Sequence, residues 1–250
     1  MQDKLTKIVI IGATSAIAEH CAREWVAQGA ADLVLVARNA PKAERVAADL
    51  RVRSPGSRVS VRTVDFGNAR AIRVLVDDIA AEGAIHRALI AHGSLSDQAQ
   101  CQQDLDQCQD ALLINGVSPA LFAEAIAGHM QSQGQGTLGI IGSVAGDRGR
   151  RSNYVYGAAK GLVARYAQGL QHRLAGNGVK VVLIKPGPTD TPMTAHLKQQ
   201  GGLASVESVA RLIVQGMGKG SPVVYAPAKW ALIMMVIRHL PAFVFNKLKI

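Results

Sequence analysis

Seven short apolar runs recur along this chain, and the stretches between them have helical spacing. The runs fall at Lys7–Gly12, Asp32–Ala37, Arg58–Val64, Ala88–Ala91, Thr137–Ile141, Lys180–Ile184 and Val223–Tyr225. Between them lie Ala-rich amphipathic segments such as Ile17–Gln28 and Asp104–Met130. Strand and helix alternating over short links constrain a chain to a parallel sheet with helices on both faces. A composition of 48% hydrophobic but only 4% aromatic residues suits the Ala/Val/Ile-rich core of such a doubly wound, three-layer α/β/α sheet. No repeat, low-complexity linker or interior boundary interrupts the pattern. The reading is one Rossmann-type domain over residues 1–226 and an apolar, basic extension over residues 227–250.

The formal charge of +10 raises the question of nucleic acid, and its distribution answers it. No acidic residue follows Glu207, whereas Arg211, Lys219, Lys229, Arg238, Lys247 and Lys249 do. The excess is therefore gathered in a strongly apolar tail, which is more like a membrane-facing end than a DNA-binding face. No helix-turn-helix, zinc or RNA-binding signature accompanies it, so no nucleic-acid partner is expected. Cys21, Cys101 and Cys108 form no C-x-x-C and cannot all pair, which points to a reduced, cytoplasmic protein without a metal site. The first residues lead into a strand with no apolar leader segment.

Two strand ends carry nucleotide signals. The first strand runs into Gly12-Ala-Thr14-Ser15-Ala16-Ile17 and then a helix, so backbone N–H groups and the helix N-terminus could meet a pyrophosphate. A methyl at Ala16 crowds that approach, and an ordinary βα turn is the plainer reading. The second strand ends Ala37-Arg38-Asn39, where a binder of NAD usually carries a carboxylate for the ribose 2′-hydroxyl. A guanidinium there suits a 2′-phosphate, so NADP(H) is preferred over NAD(H), unless Arg38 is only a solvated loop charge.

Ser143 stands thirteen residues before Tyr156, and Lys160 follows one helical turn later. Positions i and i+4 share a helix face, so the phenol and the ammonium can lie side by side. A nearby cation is expected to lower the phenol below its usual value of about 10, giving a proton donor suited to work beside a hydride carrier.

Together these residues resemble the short-chain dehydrogenase/reductase family over essentially the whole chain. The resemblance implies a seven-stranded parallel sheet and a catalytic tetrad. Asn115, on a long fourth helix, would hold a relay water, Ser143 the substrate oxygen and Tyr156 the proton. Lys160 would bind the nicotinamide ribose. It also implies cofactor contacts from Asp65 and Phe66 at the adenine, from Ala91 and Gly93 after the fourth strand, and from Pro186, Gly187, Thr189 and Thr191 after the sixth. Where the family usually reads Asn-Ala-Gly, this chain has Ala91-His92-Gly93, and His92 is read as structural. Two further family glycines are here Ala16 and Ala18.

The loop Asp147-Arg148-Gly-Arg150-Arg151-Ser-Asn-Tyr154 should border the substrate, and its three arginines suit a phosphate or other anion, a solvated surface loop being the alternative. The apolar run Trp230–Ile237 is far short of the ~20 residues that span a bilayer, and Pro241 ends it. With Trp230, Phe243, Phe245 and basic flanks it reads either as an in-plane interfacial helix or as one buried at a subunit interface or over the cleft. The Arg-rich loop, the segment Thr191-Pro-Met-Thr-Ala-His-Leu-Lys198 and the tail resemble those family members that reduce polyprenyl-phosphate-linked 2-keto-pentoses. That implies a flavin-dependent oxidase as functional partner, a site at the inner face of the plasma membrane and a homo-oligomer. Two other readings stand beside it: a reductase of 3-ketoacyl, lipid or steroid ketones, and a non-catalytic nucleotide-binding module recruited to the membrane.

Overall fold

The computed structural model describes residues 5–195 and 201–248. His196–Lys198 of the segment singled out above, and the last two residues of the tail, lie outside them. Seven parallel strands form one sheet in the order β3-β2-β1-β4-β5-β6-β7. They are β1 (Thr6–Ile11), β2 (Ala31–Ala37), β3 (Arg58–Thr63), β4 (Arg87–Ile90), β5 (Gly136–Ile141), β6 (Val179–Pro186) and β7 (Val223–Ala226). Each expected run is a strand, shifted by a residue or two at its ends.

Side chains alternate across a strand, and the two cores follow from that alternation. Val9, Ile11, Val34 and Val36 pack on one face with Phe122, Ile126 and Val163. Ile8, Ile10, Leu33 and Leu35 pack on the other with Trp25, Leu50 and Ile213. All seven residues of β2 are buried, so the strand must be apolar throughout nearly its whole length rather than in every second position.

Helices α1 (Ala16–Gln28), α2 (Ala40–Arg53) and α3 (Ala69–Ala81) start where a side chain accepts a bond from the first turn: Ser15 from Ala18 N, Asn39 from Lys42 N and Asn68 from Ala71 N. Two short helices, α4 (Gln98–Gln103) and α5 (Leu105–Leu112), follow, each capped by an aspartate at its start. The long helix expected over Asp104–Met130 is present as one rod, 105–133, but its regular ladder of bonds shifts within it. A π-turn at Leu113–Val117 separates α5 from α6 (Ser118–Gln133). The rod 105–133 is long and apolar enough to cross a bilayer, but 61% of its apolar window is buried inside the fold. Helix α7 (Tyr154–Arg173) packs beside it, and α8 (Val206–Lys219) covers the opposite face. After β7 come α9 (Lys229–His239) and α10 (Ala242–Phe245).

Strand order reverses between β1 and β4, whose following loops leave in opposite directions. The crevice beyond their carboxyl ends is where an open α/β sheet accommodates a ligand.

Candidate active site

Gly12 closes β1 with φ +80°, a conformation that favours glycine, and donates to Val36 O at 2.8 Å. A Cβ there would lie 2.6 Å from the backbone N of His92, so the β1 and β4 ends can meet only over a glycine. Beyond it opens a cavity of about 340 Å³ into which the capped N-terminus of α1 points, bordered by Thr14, Ser15, Ala16 and Ile17. At its far end stand Arg38, Asn39 and Lys42, with the Arg38 guanidinium 5.9 Å from the ring centre of Phe66. A helix N-terminus followed by two exposed cations is a donor set for a pyrophosphate and a further phosphate. Lys42, one helical turn beyond Arg38, was not singled out from sequence; the spacing Arg-x-x-x-Lys at a helix start was the available signal. Asp65 borders neither this cavity nor the next. Its Oδ1 accepts from Gly67 N at 2.9 Å and shapes the turn instead.

A second cavity of about 190 Å³ adjoins the first, and Ser15, Ile17, His92, Gly93, Thr191 and Met193 line both. Ser143, Tyr156 and Lys160 line the second, as do Ala91, Pro186, Gly187 and Thr189. Ser143 sits at the end of β5 and its Oγ accepts from Ala145 N at 3.1 Å, which turns the chain into the 3₁₀ turn Val144–Asp147. Tyr156 lies in the first turn of α7, and Gly146 and Gly157 allow that helix to press on the turn: a Cβ at Gly146 would lie 2.6 Å from the Lys160 carbonyl carbon. Lys160 is buried, and its Nζ donates to Ile141 O at 3.0 Å.

The expected acidification of the phenol by its lysine neighbour is not what the structure shows. Burial raises Tyr156 above the ordinary tyrosine value, and only the hydrogen bond with Ser143 works against it. The Lys160 ammonium is 5.8 Å from the centre of the tyrosine ring, held on the Ile141 carbonyl, and burial lowers it to about 8. Tyr156 is therefore a protonated donor throughout the neutral range.

Asn115 lies within the π-turn and is fully buried. Its Nδ2 donates to Ala111 O at 2.9 Å and its Oδ1 accepts from Ser94 N at 2.8 Å. A π-turn displaces the regular ladder of helix bonds, and here the asparagine side chain takes one of the carbonyls concerned while fixing the loop after β4. Gly93 has no room for a side chain, since a Cβ would sit 2.9 Å from Asn115 Oδ1 and 3.5 Å from Lys160 Nζ. Next to it His92 is wedged edge-on between Phe66 and Phe122 and bonded to Ser118 Oγ at 2.9 Å. Burial, then Lys160 and Arg38, push it down to about 3, so it stays neutral as a packing residue.

The three arginines of the loop go to three different places. Arg150 lines the second cavity, and its Nε is buried without a hydrogen-bond partner, as is the Oδ1 of Asn153 beside it. Arg151 is exposed and borders neither cavity. Arg148 does not face the cleft. Its Nη1 donates to Ile237 O and Leu240 O, each at 2.6 Å, and its guanidinium stacks 3.8 Å from the ring centre of Phe245. The assignment of Arg148 to the substrate is corrected: carbonyls at the C-terminal end of α9 bind it, as helix ends do cations generally. Trp230 packs flush on Gly187, a wall of the cavity, where a Cβ would collide with its Nε1. This contact fits the reading of the tail as a helix over the cleft, and Asn153 belongs to the loop expected to border the substrate, although no spacing distinguished it from its neighbours there.

Comparison with known proteins agrees with this geometry. The family model for short chain dehydrogenases matches residues 6–202. An uncharacterized oxidoreductase of Streptomyces coelicolor is 32% identical over 250 residues, covering 96% of this chain and 95% of its own. Another from Mycobacterium tuberculosis is 34% identical over 244 residues, with 96% of each chain covered. Among solved structures, a short-chain dehydrogenase from Sphingobium yanoikuyae in complex with NADPH superposes with a TM-score of 0.82 at 23% identity, covering 98% of this chain and 97% of its own. A Burkholderia cenocepacia short chain dehydrogenase in complex with NADP has the same TM-score at 17% identity, with 100% of both chains covered. The chain belongs to the short-chain dehydrogenase family of oxidoreductases.

Proposed function

We propose that this oxidoreductase is an NADP(H)-dependent carbonyl reductase whose substrate is a polyprenyl-phosphate-linked 2-keto-pentose, the reaction of decaprenylphosphoryl-2-keto-ribose reductase. The observation that carries the reading is the shared wall of the two cavities, which sets the pocket lined by Ser143 and Tyr156 beside the groove lined by the α1 N-terminus, Arg38 and Lys42. The groove fits NADP(H) in its donors: a glycine with no room for a side chain, a helix N-terminus, and Arg38 with Lys42 for a 2′-phosphate. Two of the superposing dehydrogenases are themselves complexes with NADPH or NADP. When bound, the cofactor supplies a hydride to the carbonyl carbon.

The side chains do the rest. Ser143 donates to the carbonyl oxygen as negative charge gathers there, and Tyr156 delivers the proton that neutralises it. Lys160, on the same helix face, offers its ammonium to ribose hydroxyls, and Asn115 fixes the loop that borders the reacting carbon. The substrate side of the cleft is mostly apolar, yet it holds one guanidinium nitrogen and one amide oxygen without partners. Buried polar atoms are normally paired. A substrate presenting an anionic oxygen to Arg150 and a hydroxyl to Asn153 would pair both, as a phosphorylated keto-sugar does. A flavin-dependent oxidase is the class of partner that would form such a ketone from the parent sugar.

The test offers the purified protein NADPH with a polyprenylphosphoryl 2-keto-pentose and, separately, a 3-ketoacyl thioester. The expected result is oxidation of NADPH by the keto-sugar and a loss of roughly 10²–10⁴ in rate for Tyr156→Phe, with NADPH still bound. Turnover of the thioester alone removes the sugar reading. No turnover of any carbonyl removes the reductase reading and leaves a nucleotide-binding module.

A further inference from the structure

Helix α9 is apolar on every side, but only one side is packed. Trp230, Met234 and Ile237, spaced by four and three residues, face inward, and Met234 is 2% exposed. On the other side Leu232 is 65% exposed, Met235 48% and Val236 52%. Helix α10 continues this surface with Phe243, 72% exposed. A helix apolar all round is ordinarily buried all round, so this one leaves a face to be covered. Its 11 residues are about 16 Å long, roughly half a bilayer core, which excludes spanning and leaves an in-plane position.

We infer that the outer face of α9 and α10 docks in the plane of an anionic lipid surface. The charges select the occupant. Lys229 marks one end of α9, Arg238 and His239 mark the other, and Lys247 follows α10, while no aspartate or glutamate occurs after Glu207. A second copy on the same face, related by a two-fold axis, would bring these cationic ends towards one another without a carboxylate on either tail to offset them. Lipid phosphates carry the missing sign and lie at the depth that a basic-flanked helix reaches when Leu232, Val236 and Phe243 line its outer face.

The docked face is fixed to the cleft at two points. Arg148, from the turn that follows Ser143, holds the carbonyls of Ile237 and Leu240, and Trp230 lies on Gly187 in the cleft wall. Docking would therefore hold the substrate cavity beside the membrane, where a lipid-linked ketone resides. That consequence rests on the substrate reading above, whereas the docking surface itself does not.

The test is cosedimentation of the full chain with phosphatidylcholine vesicles, with and without phosphatidylglycerol. Binding is expected only to the anionic vesicles and should fade with added salt. Leu232→Ser, Val236→Ser and Phe243→Ser together should weaken it by about tenfold or more. Lys229→Gln with Lys247→Gln should also weaken it and reduce its dependence on salt. The rate with a small water-soluble ketone should be unchanged in all these variants, which separates docking from catalysis. Wild-type protein that ignores both vesicle types, or serine variants that sediment like wild type, overturns the proposal. An oligomer that falls apart in the serine variants, in protein that does not bind vesicles, assigns the face to a second copy instead.

Discussion

Removing one charge from the turn behind Ser143 should cost a large part of this protein's stability. Asp147 ends that turn, and its Oδ1 lies 2.5 Å from Lys185 Nζ on β6, while its Oδ2 accepts from the Tyr225 hydroxyl on β7 at 2.9 Å. Both charged side chains are nearly sealed from water, 3% exposed for Asp147 and 6% for Lys185. Asp147→Asn keeps the shape and one oxygen acceptor but leaves the ammonium without its counter-charge. Stranding one member of a buried pair costs about 3–5 kcal/mol. Against a total stability of roughly 5–15 kcal/mol this is severe. At about 2–4 °C per kcal/mol for a domain of this size, Tm should fall by roughly 6–20 °C. Thermal unfolding followed by circular dichroism measures it. The double variant Asp147→Asn with Lys185→Met, which has no buried charge to strand, should recover most of the loss. A single variant that costs less than about 1 kcal/mol, or a double variant no better than the single, would refute the argument that the ion pair, rather than local packing, fixes this turn.

Other consequences are tested at the cleft. Arg38→Asp should weaken NADPH by roughly 10- to 100-fold, since charge-assisted hydrogen bonds contribute about 1.5–3 kcal/mol, and should leave NADH nearly unaffected; equal losses in titrations of the two would mean that Arg38 never meets the 2′-phosphate. Gly93→Ala should abolish turnover in a folded protein, because its Cβ would arrive 2.9 Å from Asn115 Oδ1, and wild-type rates would disprove the close packing of that loop. Burial lowers Lys160 to about 8, so its ammonium is charged below that pH and lost above it. NADPH affinity should then weaken as pH rises through about 8 and stay level in Lys160→Met, and a flat wild-type profile between pH 6 and 10 would contradict this.

How much of this was legible beforehand follows from what each feature depends on. The seven strands could be read because burial on both sheet faces demands unbroken apolar runs, as in β2, and no other pressure obscures them. Ser143, Tyr156 and Lys160 could be read because one helical turn and one strand end fix their spacing. The π-turn inside the long helix could not, since Leu-Ile-Asn-Gly-Val is compatible with a regular α-helix until Asn115 is called on to hold Ser94 and Ala111. Nor could Arg148 be separated from Arg150 and Arg151. The three are neighbours in a basic loop, and only the return of the chain some ninety residues later gives Arg148 the α9 carbonyls and the Phe245 ring.

The amino-acid order alone therefore determined the layers, the strand positions and the residue types available for proton transfer, because period and apolarity are local properties. Tertiary structure decided how those residues ionise and which of them face the cleft. Tyr156 was expected to be acidified by its neighbour, but the enclosing walls remove water from the phenol and raise it, and Lys160 is turned to Ile141. Solvation and pairing depend on segments distant in the chain, and no local spacing encodes them.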